Sequence, residues 1–387
     1  MVKAIKVMLK PNNVQETKMF EYAGASRFAY NWALAMEKEN YEKGGRFISD
    51  SELRKEFTKL RHSDEYAWLL NISNNVTKQA IKDACNAYKN FFKGLKKIPR
   101  FKSRKRSMPK FYQDNVKIQF SNTHVKLEGF SSSRKANKQK LNWVRLAEHG
   151  RISTDAKYMN PRISFDGLNW WISVCVEFPD CKEILNDDGV GIDLGIKDLA
   201  VCSDAVKYKN INKSQKVKKL EKQKRRLQRS ISRSYEKNKK GESYCKTNNV
   251  IKKEKLLLKR NHRLTNIRKN YLNQTISEIV NRKPRFICIE DLNVSGMMKN
   301  RHLSKVVQEQ GFFLFRKQLE YKCSDKGIQL IVADRFYPSS KLCSCCGKIK
   351  EDLKLSDRIY RCECGNMIDR DFQASINLKA YGERFAS

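Results

Sequence analysis

No run of this sequence approaches the roughly 20 consecutive apolar residues that a membrane span requires. Its start does not read as a signal peptide either, because Lys3, Lys6 and Lys10 interrupt it while Ile5, Val7 and Leu9 alternate like one face of a strand. A cytoplasmic protein is expected. Acidic residues are the scarcer charge: 42 Asp and Glu stand against 80 Lys and Arg, giving +38 over 387 residues. A compact chain so charged repels itself, so a polyanionic partner is expected, with nucleic acid as the first reading and an anionic membrane as the alternative. Histidine occurs only 5 times, and none is placed as an obvious general base. Of 12 cysteines, 5 cluster near the C-terminus, which fits one metal site in a reducing compartment better than a disulfide scaffold. The length leaves room for two or three domains.

In chain order, the first ten residues read as a strand ending before Pro11, and Glu16 to Lys38 as a helix with a broad apolar face. Ser49 and Glu52 form a capping-box pattern ahead of Leu53, Phe57 and Leu60, and a third helix runs from after Ser73 to Phe91. The aromatic residues of these helices are read as core. From Lys89 to Lys110 there are 10 Lys or Arg and no acid, with Phe91, Phe92 and Phe101 interleaved. That stretch is read as a nucleic-acid track rather than only a solvated arm, with Lys102, Arg104, Lys105 and Arg106 as phosphate contacts. Short strands follow: an alternating run over Val116 to Val125, then Lys140 to Leu146, Arg162 to Phe165 and Trp170 to Val176, the last two joined by an Asp166-Gly167 turn. Evenly spaced short strands predict a β-barrel or sandwich.

Asn186 to Gly189 reads as a linker. Beyond it, Lys213 to Lys269 holds 22 basic and 4 acidic residues, and two long helices are predicted there, over Lys216 to Arg229 and Ile251 to Val280. Lys222, Arg225, Arg226 and Arg229 are candidates for nucleic-acid contact, against the plainer reading of a basic helical hairpin. A helix from about Val306 to Asp325, carrying Phe312, Phe313, Phe315 and Leu319, and a strand over Gln329 to Asp334 complete an α/β pattern.

Three carboxylates stand in telling positions. Val190 to Asp193 and Phe286 to Glu290 are apolar runs that end on an acid, the first between Gly191 and Gly195, and Asp369-Arg370-Asp371 opens a helix-like stretch. A core strand with a turn aspartate is the plainer reading of the first. Together, two strand-end acids and a helix-start acid offer hard oxygen ligands for Mg²⁺ or Mn²⁺, as two-metal phosphodiester hydrolysis requires. Cys343-x-x-Cys346-Gly347 and Cys362-x-Cys364-Gly365 have the spacing of a closed, structural four-thiolate Zn²⁺ site, with the second pair one residue tighter than usual and Cys345 a spare neighbour.

The order of these segments, with the cysteine cluster, resembles the TnpB family of transposon-encoded, RNA-guided nucleases, relatives of the type V CRISPR effectors. The specific motifs lie in the C-terminal half; size and charge carry the likeness over the N-terminal half. Arg335-x-Tyr337-x-Ser339-Ser340 also matches the family, and in Asp371-Phe372-Gln373-Ala374 the last acid falls on Asp371, with Gln373 where the family has asparagine. That leaves Asp369 as a cap or supporting acid.

The resemblance implies a multidomain α+β protein. Residues 1–12 and 111–185 would form a wedge-like β-barrel, 13–110 a helical recognition domain, and 186–387 an RNase H-like, RuvC-type nuclease domain with a zinc module inserted at 338–367. It implies Asp193, Glu290 and Asp371 as Mg²⁺ ligands, a guide RNA from the transposon end and target double-stranded DNA as partners, and a monomer. Base pairing would supply sequence specificity while the helical and barrel domains read a short flanking motif. Two other readings stay open: a nuclease-silent RNA-guided repressor, and a transposase or nuclease that needs no RNA.

Overall fold

The computed structural model describes residues 2–130, 141–179, 183–354 and 356–386. The chain divides into two compact units, Met1–Pro179 and Asp180–Ser387. No helix among the described residues is long and apolar enough to cross a membrane.

The first unit opens with β1 (Val2–Lys10), followed by α1 (Asn13–Glu42), α2 (Asp50–Arg61), a 3₁₀ turn (Asp64–Asn71) and α3 (Asn74–Phe92). Capping boxes start two of the helices: Asn12 with Gln15 at α1, and Ser49 with Glu52 at α2 as the sequence predicted. The strands are β2 (Lys110–Tyr112), β3 (Gln119–Phe120), β4 (His124–Lys126), β5 (Trp143–Leu146), β6 (Tyr158–Phe165) and β7 (Trp170–Glu177). They join β1 in one antiparallel sheet of order β2-β6-β7-β1-β5-β4-β3, with β1 central. Helices and sheet share a single hydrophobic core, in which Met19, Tyr22 and Leu34 of α1 meet Phe111, Val174 and Trp170. Buried Gln15 fastens the two layers by donating to the carbonyls of Leu141 and Trp143.

One expectation fails locally here, and one strand starts later than the sequence suggested. The alternation over Val116 to Val125 is not one strand: the Asp114 carboxylate accepts from the amides of Val116 and Lys117, winding those residues into a turn that leaves Val116 88% exposed. Lys140, where the next strand was placed, lies outside the described residues; the strand begins at Trp143.

The second unit contains β8 (Val190–Leu194), β9 (Asp198–Cys202) and β10 (Lys207–Lys209), then α4 (Gln215–Lys237), the short pair β11 (Lys239–Lys240) and β12 (Ser243–Tyr244), and α5 (Asn248–Asn281). After these come β13 (Phe286–Glu290), α6 (Val294–Lys299), α7 (Ser304–Gln310), α8 (Phe312–Lys326), β14 (Gln329–Ala333), β15 (Ile359–Arg361), β16 (Met367–Asp369) and α9 (Arg370–Phe385). Five strands make a mixed sheet of order β10-β9-β8-β13-β14, antiparallel through the β8–β9–β10 meander and parallel across β8, β13 and β14. The continuous apolar runs at β8 and β13 suit strands covered on both faces. One face packs on α5 and α8 through Leu272, Ile276, Phe315 and Leu319; the other carries α9 through Leu378.

The helix expected over Val306 to Asp325 is two helices, because Gly311 adopts φ 72° and ends α7 before α8 begins. Asn186 to Gly189 is not a free linker: the Asn186 amide donates to Lys283 O and the Arg285 amide to Asp188 O. Those bonds align the lead-in to β8 with the lead-in to its parallel neighbour β13.

Candidate active site

Parallel pairing of β8 with β13 matches Val190 to Ile287, Gly191 to Cys288 and Ile192 to Ile289, so the next residue on each strand is an acid, Asp193 and Glu290. The two carboxylates thus leave the same end of adjacent strands. Asp371 reaches this end from the first turn of α9, and the approach of α9 depends on Gly191. A Cβ there would come within 2.1 Å of Ser375 O and 2.3 Å of the Lys379 amide. Asp369 caps α9, accepting from the amides of Asp371 and Phe372, and its other oxygen pairs with Lys207 at 3.3 Å. This is the supporting role expected for it.

Asp193 feels both of the other acids. Burial pushes the Asp193 carboxyl far up, to about 8, and the charges of Asp371 and Glu290 push it further in the same direction, against the Arg370 guanidinium. Burial also raises Glu290, with Asp291 adding to it. Arg370, nearly buried, lies 3.5 Å from Asp371 and donates to Lys354 O. Among the described residues, the one group of three or more candidate ligands whose ligand atoms all lie within 4.8 Å of one another is the cysteine cluster, so the acids stand more openly than the thiols. Asp193, Glu290 and Asp371 are the oxygens that would hold a divalent cation here, and such an ion would supply a polarised water and a counter-charge for a leaving oxygen. A hard-oxygen set in which one carboxylate resists ionisation fits a divalent cation, which would relieve that repulsion.

The hairpin after Asp193 is held by residues that carried no signal in the sequence. Buried Gln310 donates to Gly195 O at 2.9 Å, and Asn210 donates to Ile196 O at 2.8 Å. Beside Glu290, Asp291 accepts from Arg316 and Arg335, each at 2.6 Å, and these partners hold its carboxyl below the usual range. Tyr337 donates to Asn377 O, so the Arg335-to-Ser340 segment ties the β13 end to α9.

Cys343, Cys346, Cys362 and Cys364 converge as the spacing predicted, and the tighter second pair still delivers both sulfurs. Sγ atoms of Cys343 and Cys364, and of Cys346 and Cys362, are 3.6 Å apart. Tetrahedral Zn²⁺ with Zn–S near 2.3 Å places sulfurs about 3.8 Å apart, so the set fits zinc. Burial raises the Cys343 thiol, but the Cys346 amide, the Asn366 side chain and the Cys345 amide outweigh it and bring the group down to about 6. Cys345 is exposed and is not among the four whose sulfurs converge.

This ribbon is fastened to the acid-bearing helix by Gln373, the residue that stands in place of the family asparagine. Fully buried, it accepts from Ser344 Oγ at 2.9 Å and Asn366 Nδ2 at 3.4 Å, and donates to Leu342 O at 2.6 Å. One turn on, Asn377 donates to Ser339 O and Leu342 O, each at 2.7 Å. The sequence marked Gln373 only as a departure, since nothing local said where a longer amide would reach.

Of the basic candidates, Lys222, Arg225, Arg226 and Arg229 lie exposed at i, i+3, i+4 and i+7 on α4, one continuous face. Arg104, Lys105 and Arg106 are exposed as well. Lys102 turns inward: its backbone is bonded both ways to Asn31, its Nζ sits 3.0 Å from the Tyr30 ring centroid, and burial brings its amine down to about 7.

Profiles described as Cas12f1-like TNB domain, probable transposase and helix-turn-helix domain match residues 312–378, 173–301 and 1–46. A solved structure of a Cas12f1–sgRNA–target DNA complex superposes over 98% of this chain and 98% of its own, with TM-score 0.61 at 11% identity. The fold is therefore that of the Cas12-type effectors. The Escherichia coli (strain K12) protein named "Putative RNA-guided DNA endonuclease InsQ" is 30% identical over 98% of this chain and 92% of its own length. A Streptomyces pristinaespiralis protein named "Putative RNA-guided DNA endonuclease" is 28% identical over 98% of this chain and 89% of its own. The chain belongs to the TnpB family.

Proposed function

We propose that this protein is an RNA-guided DNA endonuclease acting as a monomer, in which Asp193, Glu290 and Asp371 hold Mg²⁺ or Mn²⁺. The observation that carries the reading is the meeting of two adjacent strand-end acids with a helix-start acid, close enough that both partners raise Asp193. When bound, the cations would activate water and neutralise the leaving oxygen of a phosphodiester. The chain supplies the rest. Asp369 and Gly191 set the position of α9 and hence of Asp371, while Gln310 and Asn210 fix the turn beyond Asp193. Arg370 offsets charge beside Asp371. The sheet order β10-β9-β8-β13-β14, with its antiparallel meander and parallel far side, supports an RNase H-like assignment for residues 186–387.

The exposed α4 face and Arg104, Lys105 and Arg106 are assigned to phosphate contact with guide and target. Within the first unit, residues 1–12 with 111–185 are assigned as the wedge-like barrel and 13–110 as the recognition helices, the parts that would read the duplex motif. The four cysteines are assigned to structural Zn²⁺ in an inserted module at 338–367. Plasmid cleavage with a cognate guide and Mg²⁺ tests the proposal: Asp193→Ala abolishes cutting, and retained cutting would remove the triad assignment. Cleavage by RNA-free protein would favour a plain nuclease or transposase instead.

A further inference from the structure

Helix α8 opens on two consecutive phenylalanines that face opposite ways. Phe312 is 2% exposed in the core under the sheet, whereas Phe313 is 64% exposed. The αL residue Gly311 starts the helix at this point and sets which of the two rings goes inward. A singly exposed ring is ordinary on a surface, Phe336 being 88% exposed, so it is a ring that also lines a cleft that can hold an occupant.

The position of Phe313 narrows what that occupant is. It lines a cleft of about 300 Å³ that also contains Glu290, with Leu292 and Val294 as further apolar lining. Arg316 and Arg335 line the same cleft, both held by Asp291, and Arg335 remains half exposed. A flat apolar surface, fixed guanidiniums and a candidate metal carboxylate in one cleft match the three parts of an unpaired nucleotide: base, flanking phosphate and scissile phosphodiester. A base paired within a duplex has its faces covered by its neighbours, so the ring suits a single strand.

We infer that Phe313 is a stacking platform for one unpaired base of the DNA strand being cut, with Arg335 on the adjoining phosphate. The inference rests on the nuclease reading above and adds a binding element to it. A phenyl ring has no group to ionise or donate, so Phe313 takes no part in bond cleavage. It sets where along the strand the phosphodiester stops.

The test uses the full chain with its guide, and single-stranded DNA carrying 2-aminopurine, in chelator so that nothing is cut. The wild type quenches the probe, and Phe313→Trp does so at least as strongly. Phe313→Leu and Phe313→Ala bind about 5- to 150-fold more weakly, the range expected for losing one stacked base, and do not quench. Because the ring is exposed, the variants melt with the wild type. In the cleavage assay the same two variants raise KM and shift the cut position. Equal affinity and quenching for Phe313→Leu and wild type would overturn the platform even if both cut DNA normally. Tighter binding of the matching RNA strand would overturn the assignment to DNA. A wild type that quenches yet never cuts would count against the nuclease reading and leave the platform standing.

Discussion

Replacing Asp193 with asparagine should stabilise the metal-free protein while abolishing its activity. Burial and the charges of Asp371 and Glu290 push the folded-state carboxyl up to about 8, from the 3.8 usual for an aspartate. At roughly 1.4 kcal/mol per pKa unit, a displacement of about four units puts an upper bound near 6 kcal/mol on the cost of ionising it in the fold. Asp193 keeps some access to solvent at the strand end and shares its charge with two other acids, so about 2–3 kcal/mol is the expected effect. The direction follows from the raised folded-state value. The group is protonated in both states below about pH 4, and wild-type stability falls as pH rises from there through about 8. Asparagine has no proton to lose. Thermal melts in chelator between pH 5 and 8.5 should therefore show a gap in favour of Asp193→Asn that widens with pH, reaching roughly 5–10 °C for a unit of this size. Added Mn²⁺ should raise the wild-type transition and leave the variant unmoved. A variant that melts at or below the wild type at pH 8.5, or a gap that does not grow with pH, would refute the reasoning.

Three further outcomes are expected. Gly191→Ala forces a methyl group onto the α9 backbone and should cost about 3 kcal/mol or more in a denaturant titration; an unchanged midpoint would mean that α9 does not pack there as described. Gln373→Leu leaves Ser344 and Asn366 without their buried acceptor, a loss of about 2–3 kcal/mol. It should speed zinc release to a chromogenic chelator and weaken Mn²⁺ binding read by EPR, with Gln373→Asn restoring part of both; release at the wild-type rate would exclude the link. Changing Lys222, Arg225, Arg226 and Arg229 together to glutamine should flatten the plot of log affinity against log salt by about three to four, near 0.9 for each lost phosphate contact; an unaltered slope would remove this face from the nucleic-acid path.

What the sequence made legible was whatever depends on local pattern. An apolar run stopping on an acid marked β8 and β13, a carboxylate two residues after another marked the start of α9, and cysteine spacing marked the ribbon. Register followed from nothing local, yet the step from Ile192 and Ile289 to Asp193 and Glu290 is what makes neighbours of acids 97 residues apart. Side-chain direction was also hidden. Lys102 belongs to a basic run but faces Tyr30, because its backbone is captured by Asn31 seventy-one residues earlier. Phe313 shares an apolar stretch with Phe312 and faces the opposite way, since one αL glycine resets the helix phase. Asn210, Gln310 and Gln373 are ordinary polar residues in sequence and acquire meaning only from the carbonyls and amides they meet.

The ribbon and the acid-bearing helix form one continuous piece: Cys364 precedes Asp371 by seven residues, and Gln373 stitches the helix back to both knuckles. An oxidant able to strip the thiolates would therefore loosen Asp371 without modifying a single carboxylate.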